Sequence, residues 1–166
     1  MPFGNDIFTR EVIVGNRWSR HVAATLSSLG VPCTPSPLEI ELDMSKVHRF
    51  ENEMDITLDL QPGHLEVKSR ALQFTSDPAS FPYQTAFVDT KIGWDKKKPK
   101  PLAVILISQK TCEKVVIPTS TSDRWGTKTA IDRVRNIHEC WYIVDKSLMR
   151  PFDELVEWLL DRQSRY

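Results

Sequence analysis

The sequence is poor in cysteine, and its few cysteines do not form a framework. Cys33, Cys112 and Cys140 are odd in number and widely spaced, without a Cys-x-x-Cys pair. This argues against a disulfide-stabilised fold and against a cysteine zinc site. It favours a reducing compartment, so we expect a cytoplasmic protein, or one in the host cytoplasm if the protein is viral.

The sequence also lacks long apolar runs and an excess of charge of one sign. No run approaches the about 20 apolar residues of a membrane span, and the amino terminus has no basic segment followed by an apolar one. We therefore expect no membrane association. The 22 basic and 22 acidic residues cancel, so any nucleic-acid-binding surface has to be local, for example at Lys96–Lys98.

A chain of 166 residues is long enough for one well-buried core, so we expect a single domain spanning residues 1–166. An apolar stripe at three- and four-residue steps predicts a helix from Val14 to Leu29 that ends at Gly30. A second stripe after Pro151 predicts a final helix. The two stripes consist of Trp18, Val22, Leu26 and Leu29, and of Phe152, Leu155, Val156, Leu159 and Leu160.

Several short runs between these helices have the composition of strands. The continuous apolar run Leu102–Ile107 is typical of a central strand that is covered on both faces. Further strands are predicted at 38–42, 81–89, 114–117 and 141–144, a loop or short helix at 43–54, an extended connector at 34–37, and a short helix at 129–138. Together these elements predict an α/β fold with a mixed central sheet flanked by helices.

The chain is organised around the segment from Asp55 to Lys68. Two short apolar-alternating runs flank Gln61-Pro-Gly-His64, and Pro-Gly is a strong turn signal, so this segment predicts a β-hairpin. Because side chains alternate along a strand, Glu66 and Lys68 share one face and Val67 points into the opposite layer. The ionisable groups of Asp55, Glu66 and Lys68 are thus expected close together beside a sheet, where a charge is costly to desolvate.

The Asp/Glu-x-Lys pattern alone is weak. It recurs at Asp89-Thr-Lys91 and at Asp95-Lys-Lys97, and short motifs arise by chance. Only Glu66-Val-Lys68 follows an acidic residue on a preceding hairpin strand. The competing interpretation is a cross-strand ion cluster of Asp55, Glu66 and Lys68 on a solvated sheet face.

A helix that ends at glycine, then Asp55 on a strand, a turn, and Glu66-Val-Lys68 on the next strand resembles the PD-(D/E)XK nuclease superfamily. The resemblance covers about residues 14–69 and implies a restriction-endonuclease-like αβββαβ core. It departs from the superfamily pattern at Met54, where proline is the nominal residue. It departs again at Ser19, where many members carry a helix glutamate, and Glu11 is a weak substitute.

The resemblance implies a metal-dependent deoxyribonuclease, of a kind that serves in repair, recombination, restriction or phage DNA processing. Asp55, Glu66 and the backbone carbonyl of Val67 are expected to bind Mg²⁺, with Mn²⁺ as a substitute, since hard cations take oxygen ligands. Lys68 is expected to assist attack by water. DNA is the expected partner, and a homodimer is plausible for so small a core.

Other residues are weighed by their position. Ser69 and Arg70 follow the motif and are predicted to contact substrate. Gln84, Asp89 and Lys91 are predicted to line the site if the next strand runs beside the hairpin, with Lys91 as a further substrate contact. Arg70 as an ordinary edge charge is the alternative. Trp94 and Trp125 either stack on nucleic-acid bases or pack in the protein core. His64 lies in the turn next to the motif, and nothing in the sequence assigns it a role. A different functional class, a non-catalytic nucleic-acid-binding or assembly protein that retains the fold, is favoured by the missing helix glutamate.

Overall fold

The computed structural model describes residues 3–37, 54–133 and 135–166. They form three helices and two sheets. The helices are α1 (Phe3–Ser28), α2 (Lys91–Lys96) and α3 (Phe152–Gln163). The strands are β1 (Cys33–Pro35), β2 (Ile56–Leu58), β3 (His64–Arg70), β4 (Thr85–Thr90), β5 (Ala103–Ser108), β6 (Lys114–Pro118), β7 (Gly126–Asp132), β8 (Ile137–Asp145) and β9 (Arg150–Pro151).

The larger sheet has the order β1-β2-β3-β5-β6-β9, and the smaller one has the order β4-β8-β7. Strands β3 and β5 are parallel, and every other pair is antiparallel. The expected α/β fold with a mixed central sheet and helices is thus confirmed. No helix in the described part of the chain is both long and apolar enough to cross a membrane.

Strand β5 lies at the centre of two cores, because every one of its residues is buried. Ala103, Ile105 and Ile107 pack with α1 and α3 on one face of the large sheet. Val104 and Leu106 pack on the other face, against residues of the small sheet and α2. The continuous apolar run predicted such a doubly covered strand. The large sheet is therefore the middle layer of the molecule.

Helix α1 confirms the first predicted helix but begins eleven residues before Val14, at Phe3. Gly30 ends it with a φ of +94°, and the Val31 N–H donates to the Leu26 carbonyl at 3.0 Å. This is the wrapping of a helix end that favours glycine. The predicted stripe holds at Val22 and Leu26 but is wrong at Leu29, which is 47% exposed.

Helix α3 also confirms its prediction, with Pro151 just before its first turn and four buried residues on one face. Leu160, included in the predicted stripe, is 37% exposed.

The predicted helix at 129–138 is wrong. Residues 126–132 and 137–145 are the strands of an antiparallel hairpin, with Ala130 opposite Glu139. Thr127, Thr129 and Ile131 alternate along β7, and β-branched residues at period two favour a strand.

The strand predicted at 81–89 begins later, at Thr85, and is preceded by a 3₁₀ turn at Pro78–Ser80 that Asp77 caps. The segment after it is helix α2, which begins where the Thr90 side chain accepts a hydrogen bond from the Gly93 N–H. The predicted connector at 34–37 contributes strand β1. The predictions for 38–42 and 43–53 lie outside the described residues.

Candidate functional site

The hairpin of β2 and β3 forms as the sequence predicts. Ile56 pairs with Leu65 and Thr57 with His64 in antiparallel register. Gly63 takes a φ of +116° in the turn, a conformation that favours glycine. Asp55 directly precedes β2, and the register therefore brings it beside Glu66.

Strand β3 divides its side chains between the two faces of the large sheet. Leu65 and Val67 are buried in the core against α1 and α3. His64, Glu66 and Lys68 occupy the opposite face, as period two requires. The predicted separation of Val67 from the two charged residues is confirmed.

Glu66 and Lys68 belong to a compact group of four charges with Asp89 and Lys97. Lys68 Nζ lies 2.9 Å from Glu66 Oε1 and 3.8 Å from Asp89 Oδ1. Lys97 Nζ lies 3.5 Å from Glu66 Oε1 and contacts Asp89 Oδ2. All four side chains are between 12% and 22% exposed, so these pairs are shielded from solvent far more than surface ion pairs.

Asp55 joins this group, hereafter the charge cluster, through the backbone. The Val67 N–H donates to Asp55 Oδ2 at 2.7 Å. The pKa of Asp55 is raised to about 6, chiefly by burial. The Val67 hydrogen bond, Lys68 and Lys97 act to lower this pKa, and the nearby Glu66 charge acts to raise it. A carboxyl with this pKa changes charge just below neutral pH.

The two other perturbed members of the charge cluster keep their charges. Burial acts to lower the pKa of Lys68, but Glu66 and Asp89 outweigh it, and the net shift is upward. Burial acts to raise the pKa of Asp89, but Lys68 and Lys97 outweigh it, and the net shift is downward. Opposite charges at short range favour both ionised forms. Lys68 is therefore held as an ammonium group.

Two buried polar atoms on this face of β3 have no hydrogen-bond partner among the described residues: Glu66 Oε2, in the charge cluster, and His64 Nδ1, beside it. Burial and Lys97 lower the pKa of His64, against the opposing effect of Glu66, so the imidazole is neutral at pH 7. Buried polar groups without partners are uncommon and mark sites where a ligand, ion or water supplies the missing bond.

The donor set suits Mg²⁺ in type. Mg²⁺ is commonly held by one or two carboxylates with several waters, and Asp55 and Glu66 supply two carboxylates, one with an unpartnered oxygen. In the described ranges, however, no group of three or more His, Cys, Asp or Glu residues is arranged to hold a metal ion. The ammonium groups of Lys68 and Lys97 neutralise the oxygens instead. The pair Asp55 and Glu66 thus matches Mg²⁺ in the type of donor and does not form a closed protein cage.

The third carboxylate of the family pattern is not replaced from α1 by any described side chain. Ser19 is buried, and its hydroxyl donates to the Gly15 carbonyl at 3.2 Å. The side chain of Glu11 lies outside the described part of the chain.

Ser69 and Arg70 continue β3 beyond the cluster, where the sequence predicts substrate contacts. Ser69 Oγ accepts from Gln109 Nε2 at 2.9 Å. The Arg70 guanidinium donates to the backbone carbonyls of Ser69 and Phe87, at 3.0 and 3.1 Å. No carboxylate is within ion-pair distance of Arg70 among the described residues.

Lys91, the third predicted substrate contact, is directed elsewhere. Its Nζ lies 2.7 Å from Asp95 Oδ2 and 5.4 Å from the centre of the Tyr142 ring. The Tyr142 hydroxyl donates to the other Asp95 oxygen at 2.7 Å. The structure does not bring Lys91 into the charge cluster.

Of the predicted wall residues, Asp89 lies in the cluster and Gln84 instead donates to Asp145. Lys97 is the member that the sequence did not predict. Asp89 begins Asp89-Thr-Lys91, a second match to the Asp/Glu-x-Lys pattern that competes with Glu66-Val-Lys68. Lys97 belongs to a lysine run that predicts a solvated turn. The bulge between Phe87 and Asp89 and the turn of α2 bring both into the cluster. Neither the bulge nor the turn of α2 can be predicted from the spacing of residues in the sequence.

The tryptophans predicted to stack on bases or pack are packed. Trp94 is 4% exposed, and its ring centre lies 4.9 Å from that of Trp125. The Trp125 indole N–H donates to Thr121 Oγ1 at 2.9 Å. This aromatic group stabilises the core between the sheets.

Comparison with models of known protein families, with curated proteins and with solved structures gives no match.

Proposed function

We propose that the protein is a metal-dependent nuclease that hydrolyses DNA phosphodiester bonds at the charge cluster. The observation that carries this proposal is the convergence of Asp55, Glu66 and Lys68 on one buried patch. Strongly perturbed ionisable groups that gather beside a groove are typical of active sites. An ordinary ion cluster would not need a carboxyl with a pKa of about 6 beside an unpartnered Glu66 oxygen.

The arrangement of elements supports the same proposal. Helix α1 precedes the antiparallel strands β1, β2 and β3, and β5 returns parallel to β3. This order agrees with the αβββαβ core that the PD-(D/E)XK resemblance implies. The connection from β3 to β5 carries β4 and the short helix α2 in place of a long helix.

In this proposal Asp55 and Glu66 hold Mg²⁺ or Mn²⁺, with the Val67 carbonyl as the expected backbone ligand. The ion supplies Lewis acidity, which activates water and offsets the charge of the phosphate. Lys68 stays an ammonium group, so its role is to orient the attacking water and to stabilise negative charge in the transition state. Asp89 holds Lys68 and Lys97 in place.

The hydrolysis test uses plasmid, linear duplex and single-stranded DNA, together with RNA, in Mg²⁺, Mn²⁺ or EDTA. Lys68→Ala and Glu66→Gln are expected to lose about 10²–10⁴-fold in rate, the range of a positioned acid–base or electrostatic group. Lys146→Ala is the matched control, because its Nζ makes only 3.5 Å contacts with backbone carbonyls. Absence of metal-dependent cutting on every substrate would overturn the proposal, and cutting that survives both variants would move the site.

A second function is favoured by one observation. Lys97 and Lys68 already neutralise Glu66 and Asp89, as in a structural ion cluster. A non-catalytic nucleic-acid-binding or assembly protein that keeps this fold would show DNA binding without hydrolysis, and Glu66→Gln would leave that binding unchanged.

A further inference from the structure

A groove adjoins the charge cluster along the end of β3. Strand β2 pairs only with His64 and Leu65, so residues 66–70 have no antiparallel neighbour among the residues that the structure describes. The groove has a volume of about 490 Å³. Small-ligand pockets have volumes of about 300–1,000 Å³. It is lined by Val14 and Gly15 of α1, by residues 67–70, and by Phe87, Ala130, Ile131 and Trp141 of the small sheet.

One end of the groove is cationic. Lys68 and Arg70 lie along it. The Arg70 guanidinium donates to backbone carbonyls, and among the described residues no carboxylate forms a direct ion pair with it. Burial lowers the pKa of Arg70 despite the nearby Asp89 and Glu66, as expected for a cation that has given up water. An anion in the groove would supply the direct ion pair that Arg70 lacks among the described residues.

The other wall is aromatic and accessible. The rings of Phe87 and Trp141 meet edge to face with centres 5.6 Å apart, and Ile131 beside them is 56% exposed. The Trp141 indole N–H is buried without an acceptor among the described residues. In contrast to Trp94 and Trp125, this tryptophan lines a cavity.

We infer that the groove binds an unpaired nucleotide of single-stranded DNA, with its phosphate at Lys68 and Arg70 and its base against Trp141 and Phe87. This inference rests on the proposed function, since it names the substrate form that the same site takes. A cationic track beside an aromatic platform is the arrangement that holds single strands, because every base offers a π-face. Bases inside a duplex are stacked on each other and cannot reach the aromatic wall.

The inference is tested by binding, with hydrolysis blocked by EDTA. Fluorescence anisotropy of a labelled single strand and of the matching duplex would be measured for the wild type and for Trp141→Phe, Trp141→Ala and Trp158→Ala. We expect tighter binding of the single strand. Trp141→Ala should weaken it about 5- to 100-fold, the effect of one lost base–aromatic stack, and Trp141→Phe should retain most of the affinity. Trp158→Ala, a change at a 47% exposed tryptophan of α3, should have no effect.

A charge substitution tests the groove without altering the core. Ile131→Glu places a carboxylate on an exposed groove residue and should weaken single-strand binding about tenfold, since it repels phosphate. Leu60→Glu, at a 54% exposed position in the hairpin turn, is the charge-matched control and should have little effect. Thermal melts confirm that each variant is folded.

Three outcomes would overturn the inference: preference for duplex, unchanged binding by both Trp141→Ala and Ile131→Glu, and no binding of either DNA form. Failure of the proposed function looks different, because single-strand binding that depends on Trp141 without any metal-dependent hydrolysis would support the groove and reject the nuclease.

Discussion

The backbone N–H of Val67 donates a 2.7 Å hydrogen bond to Oδ2 of Asp55. Through this bond the two strands of the hairpin fix a carboxyl group beside Glu66, although its burial works against ionisation. The balance leaves Asp55 with a pKa of about 6, raised from 3.8. A group so close to neutral pH makes both stability and cation binding sensitive to pH.

We first predict a pH dependence that belongs to Asp55. Because the folded-state pKa is raised, the folded protein binds more protons than the unfolded chain between about pH 4 and 6. The contribution of Asp55 to the free energy of unfolding therefore falls as pH rises through that window. The total decrease is at most about 3 kcal/mol. Urea unfolding in EDTA, for wild type and Asp55→Asn, measures this contribution.

The informative quantity is the difference between wild type and Asp55→Asn in how the free energy of unfolding depends on pH. The lowered pKa of His64 gives the opposite slope, with stability lost as pH falls, but it is common to both proteins. The lowered pKa of Asp89 acts below about pH 4. Identical pH slopes for wild type and Asp55→Asn would contradict the assignment. For the same reason Mg²⁺ should bind more tightly as pH rises through about 6, since a metal ligand must lose its proton.

The second prediction concerns Lys97, whose ammonium group lies between Glu66 and Asp89. Lys97→Met removes a cation from a shielded pair and should destabilise the metal-free protein by about 1–3 kcal/mol. Mg²⁺ should restore more stability to the variant than to the wild type, because the cation then compensates the freed carboxylates. Thermal melts across a Mg²⁺ titration measure both effects.

Lys91→Met is the matched control for that experiment. Its ion pair with Asp95 is about half exposed, so it should contribute little to stability. If Mg²⁺ stabilises all three proteins equally, the cluster does not bind the ion.

The elements that the sequence predicts well are those with a strong local signal. The β5 run, the α3 stripe, Gly30 as a helix end and the β2–β3 hairpin each follow from local periodicity or turn chemistry. The alternation of Glu66 and Lys68 on one face follows from strand geometry alone. These positions need no knowledge of distant contacts.

The remainder depends on contacts between distant segments. Asp89 reaches Lys68 through a bulge in β4, and Lys97 reaches both carboxylates only because α2 turns the lysine run inward. The sequence does not distinguish Trp94 from Trp141, yet Trp94 fills the core between the sheets and Trp141 lines a groove. Residues 129–138 read as a helix because their apolar spacing is ambiguous, and pairing between β7 and β8 decides the outcome.

The third prediction tests the turn that supports the site. Gly63 has a φ of +116°, and a Cβ there would lie 2.7 Å from Leu102 Cδ1. Gly63→Ala should therefore destabilise the protein by about 1–3 kcal/mol, through backbone strain and crowding. Gly15→Ala is the control, since no atom lies within 4 Å of its added Cβ and alanine favours the helix by about 0.5–1 kcal/mol. Chemical denaturation should shift the two variants in opposite directions, and a stable Gly63→Ala protein would contradict the strain.

The fourth prediction asks whether Asp89 belongs to the site, without removing its charge. A Cβ on Gly93 would lie 2.7 Å from Thr90 Oγ1 and 3.4 Å from Asp89 Oδ1. Gly93→Ala should therefore displace the Thr90 cap of α2, at a cost of about 1 kcal/mol. It also places a methyl group in contact with the Asp89 carboxylate that holds Lys68 and Lys97. We expect a drop in metal-dependent hydrolysis of about tenfold, the scale of a small misplacement near a reacting centre.

Thr90→Ala separates the two effects of that substitution. It removes the same helix cap and should cost similar stability, but it adds no atom beside Asp89. If hydrolysis falls in Gly93→Ala and persists in Thr90→Ala at equal stability, the position of Asp89 matters for activity. Equal losses in both variants would assign the effect to the helix cap, and Asp89 would then have only a structural role.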